Sequence, residues 1–240
     1  MKPIGSQPPR LYGLAKIHRD NVPVRLVLSM PGSAYHNIAK IVTEWLSVVP
    51  ECNINSSTKI ISDQLSKIKL ADDGELISFD VVSLYTNVPV VEAIDVCSDL
   101  LYMGNHKKPP VDKKTFKELL TVCSHNVIML THNGLYRQVD GLAMGSPPAS
   151  MLANGLLSTY DPIIKGNASL YSRYMDDVLR NIKRDTITAT LEQINSLHPA
   201  LKFTVEKEAE DGSIAFLDMK IFHENKNLVS TWYTKPTDPT

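Results

Sequence analysis

Cysteine is scarce in this sequence and long apolar runs are missing, and both absences narrow the class of protein. Among 240 residues there are three cysteines, Cys52, Cys97 and Cys123, with no Cys-x-x-Cys pair. An odd and widely spaced set argues against a disulfide framework and against a structural zinc site. The apolar runs fall far short of the roughly 18–20 residues that cross a bilayer, and residues 1–5 contain no apolar signal core. We therefore expect an intracellular chain with no membrane partner, in the nucleus or the cytoplasm, which the sequence does not distinguish.

Internal repeats, low-complexity tracts and coiled-coil heptads are also missing. The hydrophobic share of 43% and the charged share of 21% are those of an ordinary globular protein, and 240 residues allow one large domain or two small subdomains. The net charge of −1 does not indicate a partner, because steering depends on where charge lies. Residues 1–40 carry six basic residues and one acidic residue, a balance of +5. This segment is either a surface that binds phosphates or an ordinary solvated basic face.

An acidic pair, Asp176 and Asp177, lies between two apolar segments that predict the strands of a hairpin. Like charges held close raise each other's pKa, and a divalent cation relieves that repulsion. Most Asp-Asp pairs are nevertheless solvated turns. A second acidic position favours a metal site over a solvated turn. Asp80 lies about a hundred residues upstream, in the apolar run Leu76–Val82.

The run around Asp80 predicts a strand that is buried on both faces. A carboxylate inside such a strand is expensive unless it is paired or coordinates a metal. Asp80 is therefore either a strand-end residue that reaches solvent or a metal ligand. Together with Asp176 and Asp177 it would complete a site of three carboxylates suited to Mg²⁺, a hard ion that keeps some waters and binds substrate phosphates.

The spacing of apolar residues predicts strands interleaved with helices, and hence an α+β fold with an antiparallel sheet covered by helices. Turn signals at 18–21 and 132–134 predict two further hairpins, and Ser33 is expected to cap the first helix. The predicted strands are residues 11–17, 22–29, 76–82, 127–130, 135–139, 202–206, 214–221 and 228–233. The predicted helices are residues 33–48, 58–70, 89–102, 112–124, 146–160 and 186–197.

Several short motifs follow one another along the chain in a characteristic order and spacing. They are Leu11–His18, Val22–Ser29, Phe79–Pro89, Gly141–Pro147 with Leu152–Asn154, Arg173–Asp177, His198-Pro199 with Lys202–Glu206, Phe216–Asp218 and Tyr233–Thr237. With these motifs the chain resembles a reverse transcriptase, and most closely the Penelope-like retroelement group. The resemblance implies an RNA-directed DNA polymerase derived from a retrotransposon, which transfers dNTPs to a primer 3′-hydroxyl with two Mg²⁺ ions, for which Mn²⁺ could substitute.

The resemblance also implies how the acidic residues share the metal ions. Asp80 and Asp176 would be the main ligands and Asp177 a supporting one. The backbone carbonyl of Val81 often contributes in this family. The three aspartates form the expected catalytic site, and Val81 joins them in the expected metal site. Val81 is also expected among the residues that bind the dNTP.

The resemblance implies a set of residues that bind the incoming nucleotide. Lys16 and Arg25 would contact the triphosphate, and Arg25 could do so in a bidentate way. Tyr85 would pack under the sugar and exclude a 2′-hydroxyl. The plainer interpretation is that the two basic residues face solvent on a hairpin and that the tyrosine belongs to the core.

Three further assignments follow from the same resemblance. The turn that contains Met144 and Gly145 would lie against the templating base pair, or it is a plain helix-start turn. Lys202 would protonate the pyrophosphate, a role that Lys207 could take instead. The Phe216–Asp218 segment would position the primer, although a core Phe-Leu pair explains it nearly as well.

The sequence departs from the family pattern at two places. Residues Pro147–Ser150 read Pro-Pro-Ala-Ser where the family commonly has Pro-Leu-Ser-Pro, and Arg180 replaces an apolar residue. Arg180 either faces nucleic acid or marks sequence decay. Two alternatives therefore stay open: a catalytically inactive nucleic-acid-binding relic of the same fold, and a palm-like nucleotide cyclase, which has paired acids but lacks the Arg25, Tyr85 and Gly145 set.

The domain expectations follow the right-hand architecture of polymerases. Residues 1–75 would form the fingers and residues 76–240 mostly the palm, with a fingers insertion near 103–140. A thumb and a C-terminal endonuclease would be missing. An RNA template and a DNA primer would be held mainly through phosphates and A-like shape, so binding should depend on salt but little on sequence.

Overall fold

The computed structural model describes residues 5–15, 22, 24–54, 58–68, 74–224 and 227–233. These residues form a mixed α+β fold with largely antiparallel sheets, as predicted. The strands are β1 (Arg10–Ala15), β2 (Val24–Ser29), β3 (Gly74–Val81), β4 (Ile128–Thr131), β5 (Gly134–Arg137), β6 (Tyr171–Tyr174), β7 (Asp177–Lys183), β8 (Phe203–Lys207), β9 (Ile214–Phe216), β10 (Met219–Glu224) and β11 (Asn227–Trp232). The helices are α1 (His36–Leu46), α2 (Thr58–Leu65), α3 (Leu84–Asn87), α4 (Val90–Met103), α5 (Lys113–Ser124), α6 (Ala149–Ser158), α7 (Asp161–Lys165) and α8 (Ile187–Ser196).

The chain divides into two compact units, each assembled from two separate stretches of sequence. The first unit comprises residues 1–53 and 83–159, and the second comprises residues 54–82 and 160–240. The division into fingers and palm that the sequence suggests concerns functional subdomains, and it stays a prediction.

The first unit contains the sheet β2-β1-β4-β5. Strands β1 and β2 pair antiparallel from Arg10 opposite Ser29 to Ala15 opposite Val24, so the first predicted hairpin is confirmed. The predicted turn at 18–21 lies outside the described residues. A core of apolar side chains joins this sheet to the helices, and its buried members include Leu28, Met30, Ala39, Cys123, Val127, Met129 and Ala143.

Helices α4 and α6 of the first unit pack around two buried thiols. The sulfur atoms of Cys52 and Cys97 lie 3.7 Å apart, and all three cysteines of the chain are free. Gly155 of α6 faces this pair, because a methyl group at its Cα would meet both sulfurs. Hydrogen bonding to Cys52 and burial raise the pKa of Cys97, so we expect Cys97 to remain a thiol in the folded protein.

The second unit contains the sheet β6-β7-β3-β8 and the smaller sheet β11-β10-β9. Strand β3 lies between β7 and β8 and pairs antiparallel with both. Its residues from Glu75 to Phe79 are all buried, which confirms the prediction of a strand covered on both faces. The second core lies beside it and includes Ile61, Leu65, Leu76, Leu170, Leu179, Ile214, Phe216, Met219, Ile221 and Leu228.

Two predicted helix starts are wrong. Helix α1 begins at His36, and Ser33 does not cap it, because residues before the helix form turns in which Ser33 N–H donates to Met30 and His36 N–H donates to Ser33. Helix α6 begins at Ala149 rather than at residue 146 or 147. Pro148 takes the capping position there, with a φ of −78° that suits the helix entry.

The predicted strand 214–221 is wrong as one element. It is a hairpin of β9 and β10, in which Phe216 pairs with Met219. Leu217 turns the chain with a φ of 53°, a left-handed conformation that leucine rarely adopts. Helix α7 was not predicted at all. Among the described residues, no helix combines the length and the apolar character that a membrane span requires.

Candidate active site

Strand pairing in the second unit brings two of the predicted acidic residues together. Asp80, near the end of β3, lies directly opposite Asp177, the first residue of β7. Opposed residues of an antiparallel pair share one face of the sheet, with Cβ atoms about 4.5–5.5 Å apart. Asp80 and Asp177 are both partly exposed, whereas their neighbours Phe79 and Val178 are fully buried. The two carboxylates therefore lie where the buried sheet meets solvent.

The third acidic residue, Asp176, lies in the tight turn that joins β6 to β7. Tyr174 pairs with Asp177, so only Met175 and Asp176 form the loop. Met175 has a φ of 53°, as expected for the first position of a two-residue hairpin loop that usually carries glycine. The Val81 N–H donates to the Asp176 carbonyl at 3.2 Å, which ties the turn to the end of β3.

A buried ion pair lies directly behind this turn. The Arg173 side chain, 1% exposed, donates from Nε and Nη2 to the two carboxylate oxygens of Asp161 at 2.8 and 2.9 Å. Its third nitrogen, Nη1, donates to the Met175 carbonyl at 3.3 Å. The Tyr171 hydroxyl donates to Asp161 Oδ1 at 2.6 Å, and burial together with the Asp161 charge raises the pKa of this tyrosine, which keeps it a donor.

Sequence reasoning missed this network. An arginine inside an apolar strand is a usable signal, because arginine is almost never fully buried unless it is paired. Its partner Asp161 is harder to find, because it starts the five-residue helix α7, which has no apolar period of its own.

The donor set fits Mg²⁺ in its chemistry. Carboxylate and carbonyl oxygens are the ligands of this ion, which usually binds one or two protein carboxylates and completes its shell with waters and substrate phosphates. Asp80 and Asp177 supply such a pair. Within the described part of the chain, no group of three or more acidic, histidine or cysteine side chains is arranged to hold a metal ion.

Lys202 lies in the second unit, close to the end of β3 in the backbone pairing. Its carbonyl accepts a hydrogen bond from Val82 N–H at 2.8 Å. Its exposed side chain donates to the Asn195 carbonyl at 2.8 Å. Lys207 lies further along β8, opposite Ile77. The role of Lys202 towards pyrophosphate stays a prediction.

The first unit fixes the glycine-rich loop against strand β2. The Leu28 N–H donates to the Met144 carbonyl at 2.7 Å. Gly145 has a φ of 96°, and a Cβ there would collide with the Leu28 carbonyl oxygen. Only glycine satisfies both conditions, so Gly145 is required by the contact with this strand.

The same loop also holds the backbone of Tyr85. The Leu142 N–H donates to the Tyr85 carbonyl at 2.6 Å, and the side chain of this tyrosine is half-buried on α3. Arg25 is exposed on β2, opposite Leu14. The structure therefore connects β2, the glycine-rich loop and α3 by backbone hydrogen bonds within the first unit. Lys16 lies outside the described residues.

The departure at Arg180 has a structural explanation. Arg180 is 8% exposed on β7, and its Nη1 donates to the Ile164 carbonyl near the end of helix α7. Burial lowers the pKa of its guanidinium. The side chain therefore belongs to the interior of the second unit and supports α7.

No protein-family model matches the sequence, and no curated protein matches it either. Solved structures are similar in fold. Telomerase from Candida albicans, in complex with the TWJ fragment of telomeric RNA, aligns with a TM-score of 0.65 at 12% identity over 93% of this chain and 46% of that chain. Apo telomerase from Candida tropicalis, truncated from its C-terminal domain, gives 0.63 at 12% identity over 94% and 56%. The RNA polymerase complex inside a dsRNA virus gives 0.59 at 11% identity over 96% and 23%.

These similarities show that the chain has a reverse-transcriptase-like polymerase fold, as the motifs predict. The chain spans about half the length of the telomerase chains that it matches. At such low identity the likeness concerns the fold alone.

Proposed function

We propose that this chain is the fingers-and-palm part of a reverse transcriptase of the Penelope-like retroelement group. It would transfer dNTPs to the 3′-hydroxyl of a DNA primer under the direction of an RNA template. The observation that carries the proposal is the pairing of Asp80 with Asp177 beside the Asp176 turn, within a reverse-transcriptase-like fold. We further propose that it acts inside the cell.

Asp80, Asp176, Asp177 and the Val81 carbonyl are the proposed ligands of two Mg²⁺ ions, for which Mn²⁺ could substitute. When bound, the ions would lower the pKa of the attacking hydroxyl and stabilise the charge on the leaving pyrophosphate. The partly exposed position of Asp80 and Asp177 at the end of a buried strand pair supports this assignment, because an exposed edge leaves room for waters and phosphates.

The proposed nucleotide contacts follow the roles that the resemblance implies. Lys16 and Arg25 bind the triphosphate, and Tyr85 excludes a ribose 2′-hydroxyl. Met144 and Gly145 support the templating pair, and Lys202 protonates the pyrophosphate. The hydrogen bonds that connect β2, the glycine-rich loop and Tyr85 support this grouping, because they hold three of the proposed elements together.

The proposed partners are an RNA template, a DNA primer and dNTPs. The fungal telomerase that is similar in fold was solved with a fragment of telomeric RNA, which supports a nucleic-acid partner for this chain as well.

Extension of a labelled DNA primer on an RNA template, with and without Mg²⁺, tests the proposal. We expect extension that requires the metal, the template and dNTPs. A folded protein that extends no primer with either Mg²⁺ or Mn²⁺ contradicts it.

The second candidate is a nucleic-acid-binding relic without catalysis. The observation that favours it is that the described side chains include no group of three acidic, histidine or cysteine ligands in metal-binding geometry. A relic would extend no primer, but it would bind an RNA–DNA duplex in a salt-dependent way. Asp80→Ala would leave that binding unchanged.

A further inference from the structure

We propose that Arg173, held in place by Asp161, is a positioning residue that sets the direction in which the Asp176 side chain leaves the backbone. The inference rests on the proposed function, because it assigns a role within the same site. It is carried by hydrogen bonds inside the second unit.

The argument starts from the two peptide groups on either side of Asp176. The Met175 carbonyl belongs to the peptide plane before its Cα, and the Asp176 carbonyl belongs to the plane after it. Arg173 Nη1 donates to the first carbonyl at 3.3 Å, and Val81 N–H donates to the second at 3.2 Å. Because a peptide group is planar, holding both planes fixes φ and ψ of Asp176 and therefore the direction in which its Cα–Cβ bond leaves the backbone.

The turn needs such support. Met175 adopts a φ of 53°, and strained backbone of this kind persists only where the surrounding structure holds it in place. The hydrogen bond from Val81 holds only the second of the two peptide planes. Without Arg173, the plane between Met175 and Asp176 would lose its hydrogen bond from the interior.

Arg173 can act in this way because its own orientation is fixed. Two of its nitrogens bind the two oxygens of Asp161, whose side chain is 16% exposed, and the Tyr171 hydroxyl holds one of those oxygens. The rigid guanidinium then points its third nitrogen at the Met175 carbonyl. A lysine would keep the charge but could not satisfy the carboxylate and the carbonyl in one fixed geometry.

The test compares Arg173→Lys with Arg184→Lys. Arg184 is the control because it also pairs with a carboxylate, that of the buried Glu75, at 3.0 Å. It follows Lys183 at the opposite end of the β3–β7 ladder, and its own side chain is exposed. We expect Arg173→Lys to speed amide hydrogen exchange at residues 175–177 and to weaken Mn²⁺ binding, measured by electron paramagnetic resonance without nucleic acid, by roughly tenfold or more, the usual size for loss of a group that orients a metal ligand. Arg184→Lys should leave both unchanged.

Tyr171→Phe is the second variant, in case Arg173→Lys does not fold. It removes the hydroxyl that donates to Asp161 without changing any charge, so we expect a smaller change in the same direction. A folded variant in which exchange at 175–177 or Mn²⁺ affinity stays at the wild-type value overturns the inference.

Primer extension separates this inference from the proposed function. If Arg173→Lys differs from wild type in amide exchange and Mn²⁺ affinity but the wild-type protein extends no primer, the positioning role stands and the polymerase proposal falls. Where wild-type protein extends primers and Arg173→Lys changes neither readout, the reverse holds. If both the positioning role and the polymerase proposal hold, Arg173→Lys should lower kcat and leave the KM for dNTP unchanged.

Discussion

The two units hold their candidate site residues by different means. In the second unit, the turn with Asp176 is held by a buried ion pair and by hydrogen bonds from neighbouring strands. In the first unit, the loop with Gly145 is held by close approach of backbone to backbone, at a position where no side chain fits. The contrast teaches that the Asp176 turn in the second unit depends mainly on charge, and the Gly145 loop in the first unit depends mainly on side-chain volume. Substitutions that change only one of these properties therefore test each unit separately.

The largest effect is expected from removing charge at equal volume in the second unit. Asp176→Asn should lower primer extension by at least about a thousandfold, equivalent to roughly 4 kcal/mol in the barrier, because the proposed metal ligand is lost. Asp80→Ala, which removes volume as well as charge, should act similarly. Thermal unfolding should show that both variants fold.

Asp185→Asn is the control for this experiment, because Asp185 is exposed shortly after β7. It should keep wild-type extension. Near-normal extension by folded Asp176→Asn would show that charge at the turn is not required, and the polymerase proposal would be wrong.

A change of volume in the first unit should alter the choice of sugar. Tyr85→Val removes the ring that is proposed to exclude the 2′-hydroxyl, whereas Tyr85→Phe keeps the ring. We expect the preference for dNTP over rNTP, measured as the ratio of kcat/KM values, to fall by about tenfold to hundredfold in Tyr85→Val, a range typical of steric discrimination in a pocket. An unchanged ratio in Tyr85→Val, or an equal fall in Tyr85→Phe, would rule out the steric role.

A smaller change of volume tests the backbone contact itself. Gly145 and Gly32 both have positive φ, at 96° and 80°, but only Gly145 has a neighbour that a Cβ would meet. Both alanine variants should be strained by their backbone conformation. Gly145→Ala should lower the free energy of unfolding by about 1–3 kcal/mol more than Gly32→Ala, the usual size of overpacking, as measured by urea denaturation. Equal losses would show that the Leu28 contact yields easily.

The effect that is smallest near neutral pH is that of titration, which acts at the two ends of the pH range, where the two units are expected to differ in direction. Hydrogen bonds from Ser213 and Lys220 lower the pKa of Asp211 in the second unit to about 2 from 3.8. Its stabilisation is present above pH 3.8 and is lost as the pH falls towards 2. Burial raises the pKa of Cys123 in the first unit to about 12 from 9.0. Its stabilisation is present below pH 9 and is lost as the pH rises towards 12.

Urea denaturation across the pH range checks both directions. Asp211→Asn should flatten the acid limb of the stability profile only, and Cys123→Ala should flatten the alkaline limb only. The slopes decide the outcome rather than the absolute stabilities, because replacing a buried thiol also changes packing. Identical slopes in wild type and variants would mean that these two groups do not set the profile.

The sequence predicted those parts of the molecule that have a strong local pattern. Strand β3 and the hairpin around Met175–Asp176 were predicted because apolar runs with a polar turn are typical of them. The α+β class followed from the spacing of apolar residues, and the reverse-transcriptase-like fold followed from the motifs. The pairing of Asp80 with Asp177 required only that two such strands be neighbours.

Other features depend on tertiary contacts that leave little trace in the local sequence. Leu217 adopts positive φ without the glycine or asparagine that usually marks such a turn. Ser33 does not cap helix α1, because the backbone around it forms turns and the helix begins only at His36. Asp161 has its role only because the fold brings it to Arg173, twelve residues further along the chain. The support of the acidic turn therefore could not be predicted from its own motif.

The packing of Gly155 against the two buried thiols constrains how this protein can change over evolutionary time. A glycine inside a helix is usually a site where alanine gives a gain of about 0.5–1 kcal/mol. That route is closed here, because the added methyl group would occupy the space of the Cys97 and Cys52 sulfurs. A larger residue at position 155 therefore requires an earlier change to a smaller side chain at position 97. The two positions should covary in descendants of this sequence.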